Sequence, residues 1–152
     1  MTLRATVRVP AAASPEPRWL TISVTTRTSG VTIVERAGTL RDLAVAPEDD
    51  RIVVGFRSAC SAAGRAGPTA LHVRASSQIP VGVGLGASAA ATAAGAFAAN
   101  ALLGLDLDSD ALAKLIAQID GRRDQADAVA AGHWVAVRSE CADVPDGAAA
   151  SL

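Results

Sequence analysis

The sequence has few aromatic residues, and tyrosine is missing altogether. Of the 152 residues, 3% are aromatic whereas 50% are hydrophobic. Because alanine, valine and leucine supply most of this apolar content, the core must be aliphatic and closely packed. A chain this apolar with so little net charge is not of the disordered class, and its length suits a single domain over residues 1–152.

Neither sign of charge dominates the sequence. The formal net charge is −1, and the only lysine is Lys114. A balanced chain without long blocks of like charge gives no electrostatic reason to expect nucleic acid or an anionic membrane as a partner. We therefore expect neither.

Cysteine is limited to Cys60 and Cys141, whose spacing is unlike that of a metal site. Cys60 falls on an apolar stripe of a predicted helix, which predicts a buried free thiol. Free thiols fit a reducing compartment, and the start of the chain lacks the apolar stretch of a secretory signal. We expect a cytoplasmic protein.

Hydrophobic periodicity predicts nine strands and helices. Alternating apolar and polar side chains predict antiparallel strands at 3–9, 19–26 and 31–34, and further strands at 69–77 and 133–139. Stripes at helical spacing predict helices at 52–63, 88–103, 109–120 and 122–132. This order indicates an α+β domain, a mostly antiparallel sheet with helices on one face, followed by a loose tail at about 142–152. Trp19 and Trp134 are expected to anchor the core.

The uncharged stretch IPVGVGLGASAAATAAGAFAAN, residues 79–100, admits three interpretations. It is long enough for a membrane span, but its proline, glycines and many alanines argue against insertion. From Ser88 to Leu103 it is typical of an interior helix, since alanine is the best helix former and Gly104 suits the position after the last turn. Neither interpretation explains the alternating glycines of PVGVGLGAS.

Alternating glycines before a helix are typical of a phosphate site, the third interpretation. Without Cβ atoms, the backbone at Gly82, Gly84 and Gly86 can approach a ligand closely, and a helix N-terminus directs free N–H groups at it. The Walker pattern is absent, because no lysine follows the glycines. Gly82, Gly84 and Ala87 satisfy the dinucleotide pattern G-x-G-x-x-A only weakly, because no strand runs directly into them. A flexible turn ahead of a buried helix is the purely structural alternative.

The segment PVGVGLGASAAA resembles the phosphate loop of the GHMP small-molecule kinases, whose pattern is P-x-x-x-G-L-G-S-S-A-A. The similarity continues through ANALLGLDLDSDALAKLIAQIDG. It includes IDGRRDQADAVAAGHWVAV, which is similar to the family segment E-G-H-P-D-N-V-A-P-A, and VRVPAAAS, which is similar to the entry strand. Within the family the similarity is greatest to homoserine kinase. The resemblance implies an S5-domain-2-like N-terminal domain that binds ATP and Mg²⁺, with homoserine or a related hydroxyl metabolite as substrate.

The resemblance also implies which residues form the site. Ser88 and Asp120 would hold Mg²⁺, because Asp120 stands where the family has a metal-binding glutamate. Asp124 stands at the aspartate near the substrate hydroxyl and would be the catalytic residue. Phosphoryl transfer needs positioning and charge neutralisation above all, which such a set supplies; as isolated residues, both aspartates are equally consistent with an ordinary solvated surface. The nucleotide would be bound by the loop residues Pro80, Gly82, Gly84, Leu85, Gly86, Ala87 and Ser88.

The sequence departs from the family pattern at several places. Ala87 replaces the first serine of the loop, Arg122 and Arg123 replace a His-Pro pair, and Gln125 replaces an asparagine. The family motif N-L-G-P-G-F-D is missing after the entry strand, and the C-terminal domain of the family has no counterpart in the sequence. Three functions therefore stay open: a homoserine-kinase-like phosphotransferase, a degenerate relative that binds a nucleotide or metabolite, and a structural domain that forms a homodimer or pairs with a separate C-terminal domain.

Overall fold

The computed structural model describes residues 3–138, and only the backbone of Arg138. The nine predicted elements are present in the predicted order, which confirms the α+β class. The predicted tail at about 142–152 lies outside the described residues. The elements are β1 (Arg4–Pro10), β2 (Trp19–Arg27), β3 (Ile33–Gly38), α1 (Arg51–Ala62), β4 (Ala70–Ser77), α2 (Ala87–Leu103), α3 (Ser109–Asp120), α4 (Arg123–Gly132) and β5 (Trp134–Arg138), with a short 3-10 turn, Pro47–Asp49, ahead of α1.

The five strands form one sheet in the order β3-β4-β2-β1-β5. Three of the four strand pairings are antiparallel, and the fourth, between β3 and β4, is parallel. The expectation that β3 is antiparallel was therefore wrong: β3 is hydrogen-bonded to β4, and the two strands run in parallel. The reason is the connection between β3 and β4, which contains α1, because a helical crossover returns the chain in the same direction along the sheet.

The helices cover one face of the sheet, as predicted. The three central strands place alternate residues on that face, and these are buried: Ala5, Val7 and Val9 in β1, Leu20, Ile22 and Val24 in β2, and Leu71, Val73 and Ala75 in β4. Helix α2 lies at the centre of the helical layer and contacts α1, α3, α4 and the sheet. The core is therefore aliphatic, with Phe56 and Phe97 as its only buried phenylalanines among the described residues.

Helices α1 and α2 approach each other closely through two glycines. A Cβ at Gly55 would collide with the carbonyl oxygen of Thr92, and one at Gly95 with that of Ile52. This close packing explains why a helix made of small residues forms the interior of the domain. No helix within residues 3–138 is long and apolar enough to cross a bilayer, so the membrane-span interpretation of this stretch finds no support.

The opposite face of the sheet is largely polar, and the expectation that Trp19 and Trp134 anchor the core fails, because both lie on this face and neither belongs to the core. The side chain of Trp134 is 54% exposed, so it does not anchor the core as expected. It lies in an edge strand and pairs across β1 with Arg8, on the face that no described helix covers. On the same face the guanidinium of Arg8 lies 4.0 Å from the ring centre of the half-buried Trp19, and His72, which is buried, contacts Glu35 at 2.6 Å.

Candidate active site at the glycine loop

The glycine loop between β4 and α2 depends on three left-handed residues. Gly82, Gly84 and Gly86 have φ angles of 77°, 79° and 91°, values that side chains with a Cβ rarely adopt. No atom lies within 4 Å of the place where a Cβ of Gly82 or Gly84 would stand. The loop backbone is thus open at the two points where a ligand could approach it most closely.

The end of the loop is fixed to the connection between β1 and β2. A Cβ at Gly86 would lie 3.0 Å from Cβ of Ala12, and the amide of Ala13 donates to the carbonyl oxygen of Leu85 at 3.3 Å. Leu85 is half-buried and packs against the core. Val83, earlier in the loop, is 60% exposed. The loop therefore has an anchored end and an open beginning.

Helix α2 begins at the end of this loop with unpaired amides. Gly86 is its N-cap, without a side-chain hydrogen bond, and accepts from the amide of Ala90 at 2.9 Å. The amides of Ala87, Ser88 and Ala89 precede that bond, so they have no carbonyl within the helix to pair with. A partial positive charge at the helix N-terminus adds to these donors and favours an anion.

A cavity of about 490 Å³ lies against the loop. Six of the seven predicted nucleotide-binding residues line it: Pro80, Gly82, Gly84, Gly86, Ala87 and Ser88. The seventh, Leu85, faces the core instead. The residues predicted from the glycine pattern are therefore brought together around one space of a size that small-molecule ligands occupy.

The opposite wall of the cavity is apolar and is held in place by a buried ion pair. Leu40, Leu43 and Val45 line this wall. The guanidinium of Arg36 lies 2.9 Å from the carboxylate of Asp50 and donates to the carbonyl oxygen of Val45 at 3.0 Å. Asp50 also caps α1, accepting from the amide of Ile52 at 2.9 Å. One arginine thus ties the apolar wall to the start of α1.

The start of α4 supplies the remaining polar groups. Arg122 and Gln125 line the cavity, and the amide-bearing side chain of Gln125 is largely buried. Asp124 does not line it; its carboxylate pairs with Arg122, Oδ1 with Nε at 3.1 Å and Oδ2 with Nη2 at 2.9 Å. The Arg122 guanidinium lowers the pKa of Asp124, and the carboxylate raises the pKa of Arg122, so both are charged at neutral pH.

The profile of the GHMP kinases N terminal domain matches residues 51–133, which is more than half of the chain. The chain belongs to the GHMP kinases. The match begins at α1 and ends after α4, so it contains the glycine loop, α2 and the arginine at the cavity.

Solved structures with a similar fold include proteins described as a homoserine kinase and a mevalonate kinase. A Listeria monocytogenes protein assigned as the homoserine kinase thrB is 22% identical with a TM-score of 0.60, covering 84% of this chain and 46% of that one. The mevalonate kinase of Methanococcus jannaschii is 15% identical with a TM-score of 0.59, covering 93% and 56%. The protein MDDEF, in complex with MVAPP, AMPPCP and magnesium, is 18% identical with a TM-score of 0.56, covering 84% and 43%.

These three structures share their fold with 84–93% of this chain, which is more than the residues that the family profile matches. The chain spans about half the length of these three proteins. A search of curated proteins gave no match.

The two predicted metal ligands of this GHMP kinase domain are not brought to the same place. Ser88 lines the cavity, whereas Asp120, the last residue of α3, does not. Within residues 3–138, no three His, Cys, Asp or Glu side chains cluster as ligands of a metal ion would. Magnesium commonly keeps several waters and binds through substrate phosphates with one or two protein oxygens. Ser88 as the only predicted protein ligand at the cavity is compatible with this mode of magnesium binding.

Several residues at the cavity were not predicted as part of the site. Asp49, Asp50 and Arg51 arrive there from the start of α1, and the apolar wall arrives from the β3–α1 connection. In the sequence the acidic residues among these indicated only that a helix begins here. That pattern does not tell whether the start of the helix lies at a cavity. In the sequence Arg122 stands out as a departure from the family pattern, as Arg123 does, and either could accept an anion or be solvated; the structure places Arg122 at the cavity.

Proposed function

We propose that this domain binds the phosphates of ATP at the glycine loop and takes part in transfer of the terminal phosphoryl group to a hydroxyl of a small metabolite. One observation carries the proposal: three left-handed glycines and the first two residues of α2, whose amides have no partner within the helix, line the same cavity. Phosphate is the ligand that such a set of donors favours. Homoserine is one acceptor to test, and the fold of mevalonate kinase is equally similar.

In the proposed mechanism, the loop orients the phosphates and α2 neutralises part of their charge. The amides of Ala87 and Ser88 donate to phosphate oxygens, and the missing Cβ atoms of Gly82 and Gly84 allow the backbone to approach. Pro80 starts the loop, and Leu85 and Gly86 hold its end against the core and Ala12. Because these groups are in position before the reaction, transfer needs little rearrangement of the protein.

Magnesium, when bound with ATP, would supply further neutralisation of the phosphate charge. Ser88 is the residue that would hold it on the protein side, through its hydroxyl at the start of α2. Asp120, the last residue of α3, is proposed as a second residue that would hold it, although it does not line the cavity. The residues present thus fit a metal bound mainly by the nucleotide.

The apolar wall offers a place for the base of the nucleotide. Leu40, Leu43 and Val45 present aliphatic surface to the cavity. A planar base buries apolar area against such a wall, and polar phosphates favour the amides of the loop. The acceptor hydroxyl is then left with the α4 side. We propose that Asp124 meets it there after its carboxylate, which pairs with Arg122 outside the cavity, turns toward the cavity.

The proposal is tested by thermal unfolding with Mg-ATP. Binding at one hundred times Kd stabilises a protein by about 2.7 kcal/mol, which for a domain of this size is a shift of roughly 5–10 °C. Gly84→Ala places a methyl group in the open loop and should remove most of the shift. Gly104→Ala is the matched control, because Gly104 also has a positive φ and open space around it but lies at the end of α2. Equal shifts in wild type and Gly84→Ala would refute the site.

A second function, nucleotide binding without transfer, is favoured by one observation. Asp124, the proposed catalytic residue, is engaged by Arg122 and does not line the cavity. Release of ADP in the presence of homoserine or mevalonate separates the two functions. A Mg-ATP-dependent shift without ADP release would favour binding alone, and release above the rate of a Ser88→Ala variant would favour transfer.

A further inference from the structure

The strands of the sheet carry several arginines but almost no acidic residues. Among the five strands, Glu35 is the only acidic residue, whereas β1 contributes Arg4 and Arg8 and β4 contributes Arg74. All the other acidic residues within residues 3–138 lie in helices and connections. The net charge of −1, which gives no reason to expect nucleic acid as a partner, is an average over the whole chain. It conceals a concentration of positive charge on the sheet.

Strand register places these three arginines on the face of the sheet that no described helix covers. Arg8 pairs with Trp134 in β5, and Arg74 pairs with Ser23 in β2. Arg4 shares the side of Arg8, because every second side chain of a strand points the same way. The side chains between the arginines are small and carry hydroxyl groups: Thr6, Thr21, Ser23 and Ser76. The uncovered face is therefore a shallow surface of hydroxyls bordered by guanidinium groups.

The described carboxylates do not neutralise this positive charge. Glu35 is the neighbour of Arg74 in the sheet, but its carboxylate contacts His72 at 2.6 Å. Arg74 is half-buried, and its Nε is buried without a hydrogen-bond partner. Arg4 donates to the hydroxyl of Thr25 at 3.4 Å, which is a neutral group. Because arginines in partly buried positions are usually paired, the face lacks a counter-charge.

Both tryptophans of the chain lie on this same face. The guanidinium of Arg8 lies 4.0 Å from the ring centre of Trp19, and Trp134, beside Arg8 in the next strand, is 54% exposed. Aromatic rings that accompany cations on a sheet are the surfaces on which the bases of single-stranded nucleic acids stack. An acidic peptide would use the arginines, but it offers no flat ring to the exposed indole.

The spacing of the arginines favours a chain of anions over one small anion. Arg4 and Arg8 are four residues apart in β1, which is about 13 Å along the strand. Arg74 lies two strands from β1, which is about 10 Å across the sheet. A nucleic-acid strand carries one phosphate per nucleotide, so a few nucleotides span these distances.

We propose that the uncovered face of the sheet binds single-stranded nucleic acid, with Arg4, Arg8 and Arg74 on its phosphates and the ring of Trp134 against a base. The site is separate from the proposed function, because none of these residues lines the cavity at the glycine loop. A single strand fits better than a duplex, since a base must be unpaired to stack on an indole. RNA and DNA share this chemistry, and the experiment compares them.

The experiment measures fluorescence anisotropy of a labelled 12-nucleotide strand, as RNA and as DNA of the same mixed sequence, at 50, 100 and 200 mM NaCl. For three phosphate contacts, the slope of log affinity against log salt is about −2, so affinity should fall about 10- to 20-fold over this range. Binding of either strand supports the proposal, and the tighter one identifies the preferred nucleic acid. An unlabelled strand should also quench tryptophan emission, because both tryptophans lie on this face and the chain has no tyrosine.

Three arginine variants locate the binding surface. Arg8→Ala and Arg74→Ala should each weaken binding about threefold or more at 50 mM NaCl and make the salt slope shallower by about 0.7. Arg65→Ala is the matched control, because it removes the same charge from an exposed arginine after α1, where Nη1 donates to the carbonyl oxygen of Leu103. It should leave affinity and slope unchanged. Thermal unfolding checks that each variant is folded, and Arg8 is exposed, so its replacement does not disturb the core.

Several results would overturn the proposal. One is that neither strand binds at 50 mM NaCl, and another is that Arg8→Ala and Arg65→Ala have equal effects. A duplex of the same sequence that binds as tightly as the single strand would remove the role of stacking. Displacement of the strand by saturating Mg-AMPPCP would place it at the glycine loop instead. A polyglutamate peptide that binds as tightly, without quenching tryptophan emission, would assign the face to an acidic peptide.

Discussion

The thiol of Cys60 lies in the interior, 2% exposed, on the inner side of α1. Its sulfur lies 3.1 Å from the place where a Cβ of Gly67 would stand. Burial raises the pKa of this thiol, because the thiolate would lose its hydration, although Arg57 and Arg65 act in the opposite direction. The sequence correctly predicted a buried free thiol, because its apolar stripe recurs at helical spacing.

This raised pKa predicts a loss of stability in alkaline solution. A thiol that ionises less readily in the folded chain contributes fully below the ordinary pKa of about 8.5, and the contribution falls as pH rises through the folded pKa. Unfolding by urea at pH 7.5, 8.5 and 9.5 should therefore show a decline, at most about 1.4 kcal/mol per pH unit. The background is low, because the chain has no tyrosine and a single lysine.

Two variants test whether the thiol of Cys60 causes this decline in stability. Cys60→Ala should be less stable at pH 7.5 but show a flatter profile between pH 8.5 and 9.5. Cys141→Ser should keep the profile of the wild type. An undiminished alkaline decline in Cys60→Ala would contradict the assignment.

Individual side chains also show where sequence reasoning stops. Arg122 and Arg123 are identical in type and adjacent, and no periodicity tells which one meets a cavity; the turn at Gly121 decides it. Trp134 was expected in the core because of its size, but a tryptophan on the uncovered face of an edge strand has no helix to pack against. The glycine loop was predictable, because glycine is the residue that positive φ requires.

Among the elements, α1 and α2 form the closest packed pair. The prediction concerns Gly95, where an added Cβ would collide with the carbonyl oxygen of Ile52. In an isolated helix, replacing glycine by alanine stabilises by about 1 kcal/mol. Here Gly95→Ala should instead destabilise the fold by about 1–3 kcal/mol, because overpacking forces the helices apart.

The measurement is the free energy of unfolding by urea for wild type and Gly95→Ala. The direction of the change in the free energy of unfolding is itself the control, because helix propensity predicts a more stable variant and packing predicts a less stable one. A more stable Gly95→Ala variant would show that α1 and α2 are not in close contact at this point.

The order of elements could be predicted from the sequence, but the partner of β3 could not. Alternation in residues 31–34 shows that a strand forms, and it is the same whether the neighbour is β2 or β4. The strand in fact begins at Ile33 and pairs with His72 onward. The information that decides this lies in α1, since a helix of twelve residues between β3 and β4 permits a parallel crossover.

At the scale of the whole molecule, one edge of the sheet is apolar and open. Strand β5 is at the edge and pairs only with β1 among the described strands. It carries Trp134, 54% exposed, and Val137, 45% exposed. Exposed apolar edge strands favour pairing with another chain.

We therefore expect the chain to self-associate, with sedimentation coefficients that increase with concentration. Trp134→Lys should reduce this association. Val31→Lys, which replaces a valine that is 68% exposed in the turn before β3, should leave it unchanged. A monodisperse monomer at all concentrations, or equal effects of the two variants, would contradict an interface at β5.

The anchored end of the glycine loop also determines what binding an anion costs. Leu85 and Gly86 are already fixed through Ala13 and Ala12, so only the exposed residues 81–84 have freedom to lose. Ordering four residues costs at most about 4–8 kcal/mol in chain entropy. Substitutions that stiffen these four residues, while leaving every donor in place, would therefore tighten binding without a new contact. Affinity and chemistry at this site can vary independently of each other.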